Sequence, residues 1–217
     1  MARVAVLDVD GTLVDTNYHH ALAWYRAFRR HGIVLPLWRL HRHVGMGGDK
    51  FVAAVAGKDV DERLGNALRD EWERLFDELI DETEPVRGAR DLIASLKQRG
   101  LEVVLASSAV EKHVDAFLEK LDAHELADAW TTKDDVESSK PDPDLVHAAL
   151  AKAGSRDAVM VGDTPWDVAA AKKAGLETIC VVTGGFSEDE LRHAGAVAVY
   201  ESVEELGRRL EETALAR

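Results

Sequence analysis

The sequence predicts an α/β fold: a mostly parallel sheet, interrupted after its first strand by a block of helices. Three observations predict it. Short apolar or β-branched runs stand at Val4–Val9, Leu101–Ala106, Ala158–Gly162, Thr178–Val182 and Ala196–Tyr200, and segments with helical spacing alternate with them at 87–100, 110–121, 143–154, 165–174 and 202–214. Strand then helix, repeated, is the pattern of βαβ units. The runs lack polar alternation, as strands covered on both faces do. The stretch from 16 to 86 contains no such run.

Taken in order, Val4–Val9 opens the sheet and leads into two acids, Asp8 and Asp10. The block after it carries Leu22, Tyr25, Phe28 and Arg29 at helical spacing, then Leu64, Leu68, Trp72, Leu75, Phe76 and Leu79. The second set recurs at i, i+4, i+8 and i+11, which is one helix face, and its aromatics read as a helix–helix core. The expected division is a core of 1–15 and 87–217 and a helical cap of 16–86. An insertion after the carboxyl end of a strand lies over the crevice where α/β sheets bind ligands, and such a block can act as a lid.

Composition narrows the class. The chain has 217 residues, 46% of them apolar; a chain of this size buries roughly 70% of its unfolded surface, which argues against disorder. Lys+Arg 27 against Asp+Glu 40 leaves a net charge of −13, a surface that repels phosphate backbones and anionic lipid, so nucleic acid and membrane are not expected partners. The lone cysteine, Cys180, excludes an internal disulfide and a cysteine metal cluster and fits a reducing compartment. An acid follows the start after only a few apolar residues, so no signal peptide is expected. No apolar run approaches the roughly 20 residues of a membrane span. The expectation is a cytoplasmic protein, monomer or homodimer.

Four polar sites stand out, three of them at strand ends. Asp8 and Asp10 alternate onto one face at the tip of the first strand; two carboxylates there need a cation or a proton, and a hard ion such as Mg²⁺ takes oxygen ligands of this sort. Gly11 permits a tight turn and Thr12 offers a hydroxyl and a backbone N–H, although Asp-Gly is also common in plain turns. Ser107 and Ser108 follow the second strand, as phosphate-gripping groups or a helix N-cap. Lys140 precedes Pro141, in a functional or merely solvated position, while Asp142 and Pro143 suit an N-cap and N1 pair. Asp163 closes another strand in Gly162-Asp163-Thr164-Pro165-Trp166-Asp167. Capping-box geometry accounts for Thr164, Pro165 and Asp167 but not for Asp163.

With Asp8-Val9-Asp10-Gly11-Thr12, Ser107, Lys140-Pro141 and Gly162-Asp163-Thr164-Pro165-Trp166-Asp167 in this order, the sequence resembles a haloacid-dehalogenase superfamily phosphatase. Asp15-Thr16-Asn17-Tyr18-His19-His20 is similar to cap entries of its phosphoglycolate phosphatase and β-phosphoglucomutase branch. The resemblance covers nearly the whole chain. It implies a Rossmann-like three-layer core with a small all-helical cap, and Mg²⁺-dependent hydrolysis of a small phosphorylated metabolite. By resemblance, Asp8 is the nucleophile that forms an aspartyl-phosphate, and Asp10 is the general acid and base, entering turnover protonated. Mg²⁺ would bind Asp8, the backbone carbonyl of Asp10, and Asp163, with Asp167 holding a metal water. Thr12, Ser107 and Ser108 would hold phosphoryl oxygens and Lys140 would neutralise their charge.

Other features read as structural. His19, His20, His31, His41 and His43 lack an acid or cysteine cluster and are expected at the surface or the cap hinge. Val44–Lys50 lacks the strand–turn–helix context of a nucleotide fingerprint and reads as a cap loop. Lys50 and Lys58 read as surface charge rather than Schiff-base lysines, and Trp166 as packing. Three alternatives stand beside the phosphatase reading. A phosphosugar mutase would share the scaffold. A receiver-type phosphoacceptor domain would be about half this length and carry no lid. A dehalogenase of the resembling branch would lack the acid at Asp10.

Overall fold

The computed structural model describes residues 3–215. The chain divides into two compact units, Met1–Asp15 with Pro85–Arg217, and Thr16–Glu84. Val14 pairs antiparallel with Pro85, and the Val86 N–H donates to the Leu13 carbonyl at 2.8 Å. Residues 85 and 86 therefore join the larger unit, whereas the sequence reading placed them in the cap.

The larger unit is built on a six-stranded parallel sheet in the order β3-β2-β1-β4-β5-β6. Its strands are β1 (Val4–Asp8), β2 (Glu102–Ala106), β3 (Ala129–Thr131), β4 (Ala158–Gly162), β5 (Glu177–Val181) and β6 (Ala198–Tyr200). All five residues of β1 are buried, so both of its faces are covered. Val4 and Val6 of β1, Val104 of β2 and Met160 of β4 pack against Leu145 and Ala149 of α7 (Asp144–Ala153) and Ala170 and Ala171 of α8 (Pro165–Ala174). Helix α5 (Ala89–Gln98) lies against β2 and against α10 (Val203–Arg208). Helices α6 (Glu111–Leu121) and α9 (Glu188–Ala194) complete the unit. Strand β3 and helix α9 were not anticipated. β3 is a three-residue edge strand with Ala129 and Trp130 only half-buried, too short to show a pattern, and α9 is seven residues opened by a Ser187–Glu190 capping box.

This topology positions chemistry. β1 pairs with β2 through Asp8↔Ala106 and with β4 through Leu7↔Val161. The carboxyl tips of three neighbouring strands are therefore adjacent, at the place where chain order reverses across the sheet. Such a switch point is where open α/β sheets form their crevice.

The smaller unit contains α1 (Asn17–Arg30), α2 (Leu37–His41), α3 (Gly48–Ala56) and α4 (Lys58–Asp77). Its interior is an aromatic stack. Trp24 lies 4.5 Å from Phe51 and 5.0 Å from Trp72, both near-parallel, and His20 stacks on Phe76 at 3.9 Å. The buried face of α1 is Ala21, Trp24, Ala27 and Phe28, rotated from the expected Leu22, Tyr25, Phe28 and Arg29. Trp24 gives the larger buried surface on meeting α4, and the chain turns that side inward. The expected face of α4 holds, with Leu68, Leu75 and Phe76 buried.

Candidate active site

The site is assembled from loops that leave the sheet's carboxyl edge. β1 ends at Asp8 and turns sharply. Gly11 adopts φ +82°, a conformation that costs an L side chain free energy. Its carbonyl accepts a hydrogen bond from the Thr183 hydroxyl at 2.7 Å, which ties the turn to the segment after β5. The turn carries Thr12 back under the carboxylates, fully buried.

Asp8, Asp163, Asp167 and Lys140 are all at most 5% exposed. The Lys140 ammonium donates to Asp8 Oδ1 at 2.6 Å and to Asp167 Oδ1 at 2.7 Å. The solvated alternative for Lys140 is thereby excluded. Thr12 Oγ1 stands 2.7 Å from Asp163 Oδ1 and 3.0 Å from Asp8 Oδ2. Asp167 closes the predicted capping box: its Oδ2 accepts from the Thr164 N–H at 3.0 Å, the Thr164 hydroxyl at 2.6 Å and the Asp163 N–H at 3.3 Å. Gly162 lets Asp167 approach so closely, since a Cβ there would sit 2.6 Å from the Asp167 Cβ.

The electrostatics follow from burial. Desolvation, aided by Asp167 and Asp10 and opposed by Lys140, pushes the Asp8 carboxyl up from its ordinary value to about 7. Burial first, then Asp8 and Asp167, hold Asp163 well above the usual range. Burial alone would lower the Lys140 pKa, but the Asp167 and Asp8 carboxylates outweigh it and raise it, so Lys140 stays charged.

Ser107 is buried after β2. It does not cap a helix: its Oγ accepts from the Ala109 N–H at 3.1 Å, while α6 starts only at Glu111 behind Val110. The Ser107 hydroxyl reaches Asp10 Oδ2 at 3.4 Å, and its carbonyl accepts from the Thr131 hydroxyl at 2.9 Å. Ser108 is half-buried beside it. The structure thus brings Asp8, Asp10, Thr12, Ser107, Ser108, Lys140, Asp163 and Asp167 to one edge of the sheet.

The donor set suits a hard divalent cation. Carboxylate oxygens of Asp8, Asp163 and Asp167 lie within 4.8 Å of one another. Three buried carboxylates and one ammonium leave a formal charge of −2, unfavourable without a counter-ion. Thr12 sharpens the point. Its hydroxyl has a single proton, so when it donates to Asp163, its contact with Asp8 requires a proton on Asp8 or a cation between the acids. Asp167 fits direct coordination least, because its Oδ1 accepts from Lys140 and its Oδ2 already accepts three hydrogen bonds.

Two expectations are corrected. Asp142 and Pro143 do not form an N-cap and N1 pair, since α7 begins one residue later, at Asp144, with Pro143 as its cap residue. His41 is not at the surface: it is buried, with the Tyr18 ring stacked on it at 4.4 Å. Sequence reasoning missed the buttress around Lys140, where Ser138, Asp142, Asp144 and Lys173 meet. The only signal was the density of short polar residues before Pro143. Among the described residues, no helix is long and apolar enough to cross a membrane.

Comparison with known proteins agrees with this architecture. A family model of haloacid dehalogenase-like hydrolases matches residues 2–175. Validoxylamine A 7'-phosphate phosphatase from Streptomyces hygroscopicus subsp. limoneus is 30% identical over 189 residues, covering 84% of this chain and 87% of that protein. The phosphorylated carbohydrates phosphatase of Thermotoga maritima is 29% identical over 207 residues, covering 91% of this chain and 93% of its own. A hydrolase of known structure from Pseudomonas syringae superposes with a TM-score of 0.91 at 30% identity, covering 97% of this chain and 99% of that one.

Proposed function

The chain belongs to the haloacid dehalogenase-like hydrolases, and from that premise we propose that it hydrolyses a small organic phosphomonoester, of the phosphoglycolate or sugar-phosphate kind, with Mg²⁺ and through an aspartyl-phosphate on Asp8. The observation that carries the reading is the buried Lys140 ammonium, held between Asp8 and Asp167 with Asp163 alongside. A buried lysine beside three acids is costly as architecture and useful where phosphoryl charge must be neutralised. The relatives named for a sugar-like phosphate and for phosphorylated carbohydrates support the substrate class.

Asp8, Asp163 and the backbone carbonyl of Asp10 would hold Mg²⁺, with Asp167 reaching it through water. When bound, the ion supplies charge neutralisation for the carboxylates and the phosphoryl oxygens. The chain's own residues do the rest. An Asp8 carboxylate oxygen forms a bond to phosphorus as the ester P–O bond breaks, and Asp10 delivers its proton to the departing alcohol. Water then attacks phosphorus, Asp10 takes the proton, the acyl phosphate P–O bond breaks, and inorganic phosphate leaves with Asp8 restored. Ser107 and Ser108 orient the phosphoryl oxygens. Thr12, whose hydroxyl contacts Asp8 and Asp163, would orient these two carboxylates, a role that replaces the phosphoryl contact expected of its side chain. Asp167 fixes the Lys140 ammonium.

A phosphate-release screen over a metabolite panel, with Mg²⁺ and with EDTA, tests this. The expected result is Mg²⁺-dependent release from one or a few small monoesters. Silence across the panel with Mg²⁺ would overturn the reading. Sugar-phosphate isomerisation dependent on a bisphosphate would replace hydrolysis by the mutase alternative.

A further inference from the structure

Lys140 stands on residues 136–143, a stretch with no helix or strand that leads into α7, yet its ammonium meets two carboxylates within 2.7 Å. Something other than regular structure must hold that loop. Asp142 stands at the centre of the buttress. Its Oδ2 accepts from the Ser138 hydroxyl at 2.9 Å, its Oδ1 accepts from the Lys173 ammonium at 2.8 Å, and its N–H donates to the Ser139 carbonyl at 3.0 Å. The Ser138 N–H in turn donates to Asp144 Oδ2 at 3.0 Å, at the start of α7. Lys173 lies in the last turn of α8, and Asp167 in its first. The same helix therefore grips Lys140 twice: its ammonium through Asp167, and its loop through Lys173 and Asp142.

We propose that Asp142 is a positioning residue for Lys140, clamping the lysine's loop between Ser138 and the C-terminal turn of α8. The inference rests on the role given to Lys140 above. The Asp142–Lys173 pair, with side chains 40% and 49% exposed, adds little stability, as ion pairs in that setting do. Its value is geometric. A displacement of about 1 Å in a group that faces the reacting phosphoryl is enough to cost up to 10²-fold in rate.

The test uses the full-length protein with Mg²⁺ and p-nitrophenyl phosphate. Asp142→Ala lowers kcat/KM by about tenfold, while Asp142→Asn, which keeps an acceptor for Ser138, and Lys173→Met each lower it by about threefold. The double variant Asp142→Asn/Lys173→Met is no worse than either single change, since both remove one interaction. Thermal midpoints move little. Calorimetric binding of inorganic phosphate supplies the second readout: Asp142→Ala weakens it when Lys140 is present and has no further effect in a Lys140→Ala background. Unchanged kcat/KM in Asp142→Ala, or equal losses of phosphate affinity in both backgrounds, would overturn the proposal. If Lys140→Ala alone keeps full activity, the failure lies in the reading of Lys140 instead.

Discussion

The two units of this chain bury opposite kinds of side chain. The sheet unit encloses three carboxylates whose oxygens lie within 4.8 Å of one another and an ammonium hydrogen-bonded to two of them. The helical unit encloses a ladder of rings, Phe51, Trp24 and Trp72 stacked in sequence. Buried rings stabilise a fold simply by leaving water. Buried like charges do the reverse unless compensated. The first interior explains itself only by chemistry, the second by packing, and substitutions in the two should therefore fail in different ways.

The largest expected effect tests the charged interior. Asp8→Asn removes the nucleophile and should lower kcat by at least about 10⁴-fold, with the protein still folded by circular dichroism. Full turnover in this variant would remove the distinction between the units. Asp10→Asn comes next, with a loss of about 10²–10⁴-fold in kcat and a phosphoenzyme that persists long enough to be trapped by rapid quench. A rate equal to that of the parent would relieve Asp10 of its acid–base role.

Trp24→Ala sharpens the other side. It should lower stability by about 3–5 kcal/mol, read as a shifted denaturant midpoint; an unmoved midpoint would mean that the ring ladder does not carry the helical unit.

Mg²⁺ should raise the thermal midpoint by relieving the buried charge, stabilising the folded state by about 2.7 kcal/mol at a hundredfold excess over Kd. The sign of its pH dependence follows from the carboxyls. Asp8 is raised from 3.8 to about 7 in the folded protein, so between those values the metal-free folded state binds more protons than the unfolded one. Stability without metal then falls as pH rises through that window, and the Mg²⁺ shift grows with pH. A shift that shrinks between pH 5 and pH 8, read by scanning fluorimetry, would contradict this. Smallest is the effect of salt: with a net charge of −13, long-range repulsion of an anionic substrate is screened by added salt, and kcat/KM should rise by no more than about threefold. A fall would point to a cationic entrance.

Legibility in the sequence divides along the same line. Strands β1, β2, β4 and β5 stood out because burial on both faces removes polar residues, and β6 stood out only partly. β3 did not, because three half-exposed residues at an edge carry no pattern. Asp8, Asp10 and Asp163 were legible because each stands at the end of a strand with no structural reason to be there, whereas Lys140, after no anticipated strand, was legible only by its place before Pro141 in the order of motifs. Asp167 was legible twice over, as capping residue and as candidate ligand, and it proves to serve the cap box and Lys140 together. Asp142 misled, because an acid before proline looks like a helix cap when only local chemistry is considered. Ser138 meets it within the same loop, but Lys173 reaches it from α8 through the packing of α7 on α8, which no spacing reveals. The burial of Trp24 and His41 was missed for the same reason: which side of a short helix faces inward depends on partners elsewhere in the chain.

The two members of the Asp8–Lys140 pair rest on supports of unequal endurance. Asp8 closes a strand hydrogen-bonded to neighbours on both sides, the kind of element whose amides exchange with solvent only on global opening. Lys140 rides on a stretch without helix or strand, tied down by side-chain bonds of Asp142 and Asp144 rather than by a backbone ladder. A modest rise in temperature should therefore silence the enzyme reversibly, well before the molecule melts, through excursions of 136–143 alone.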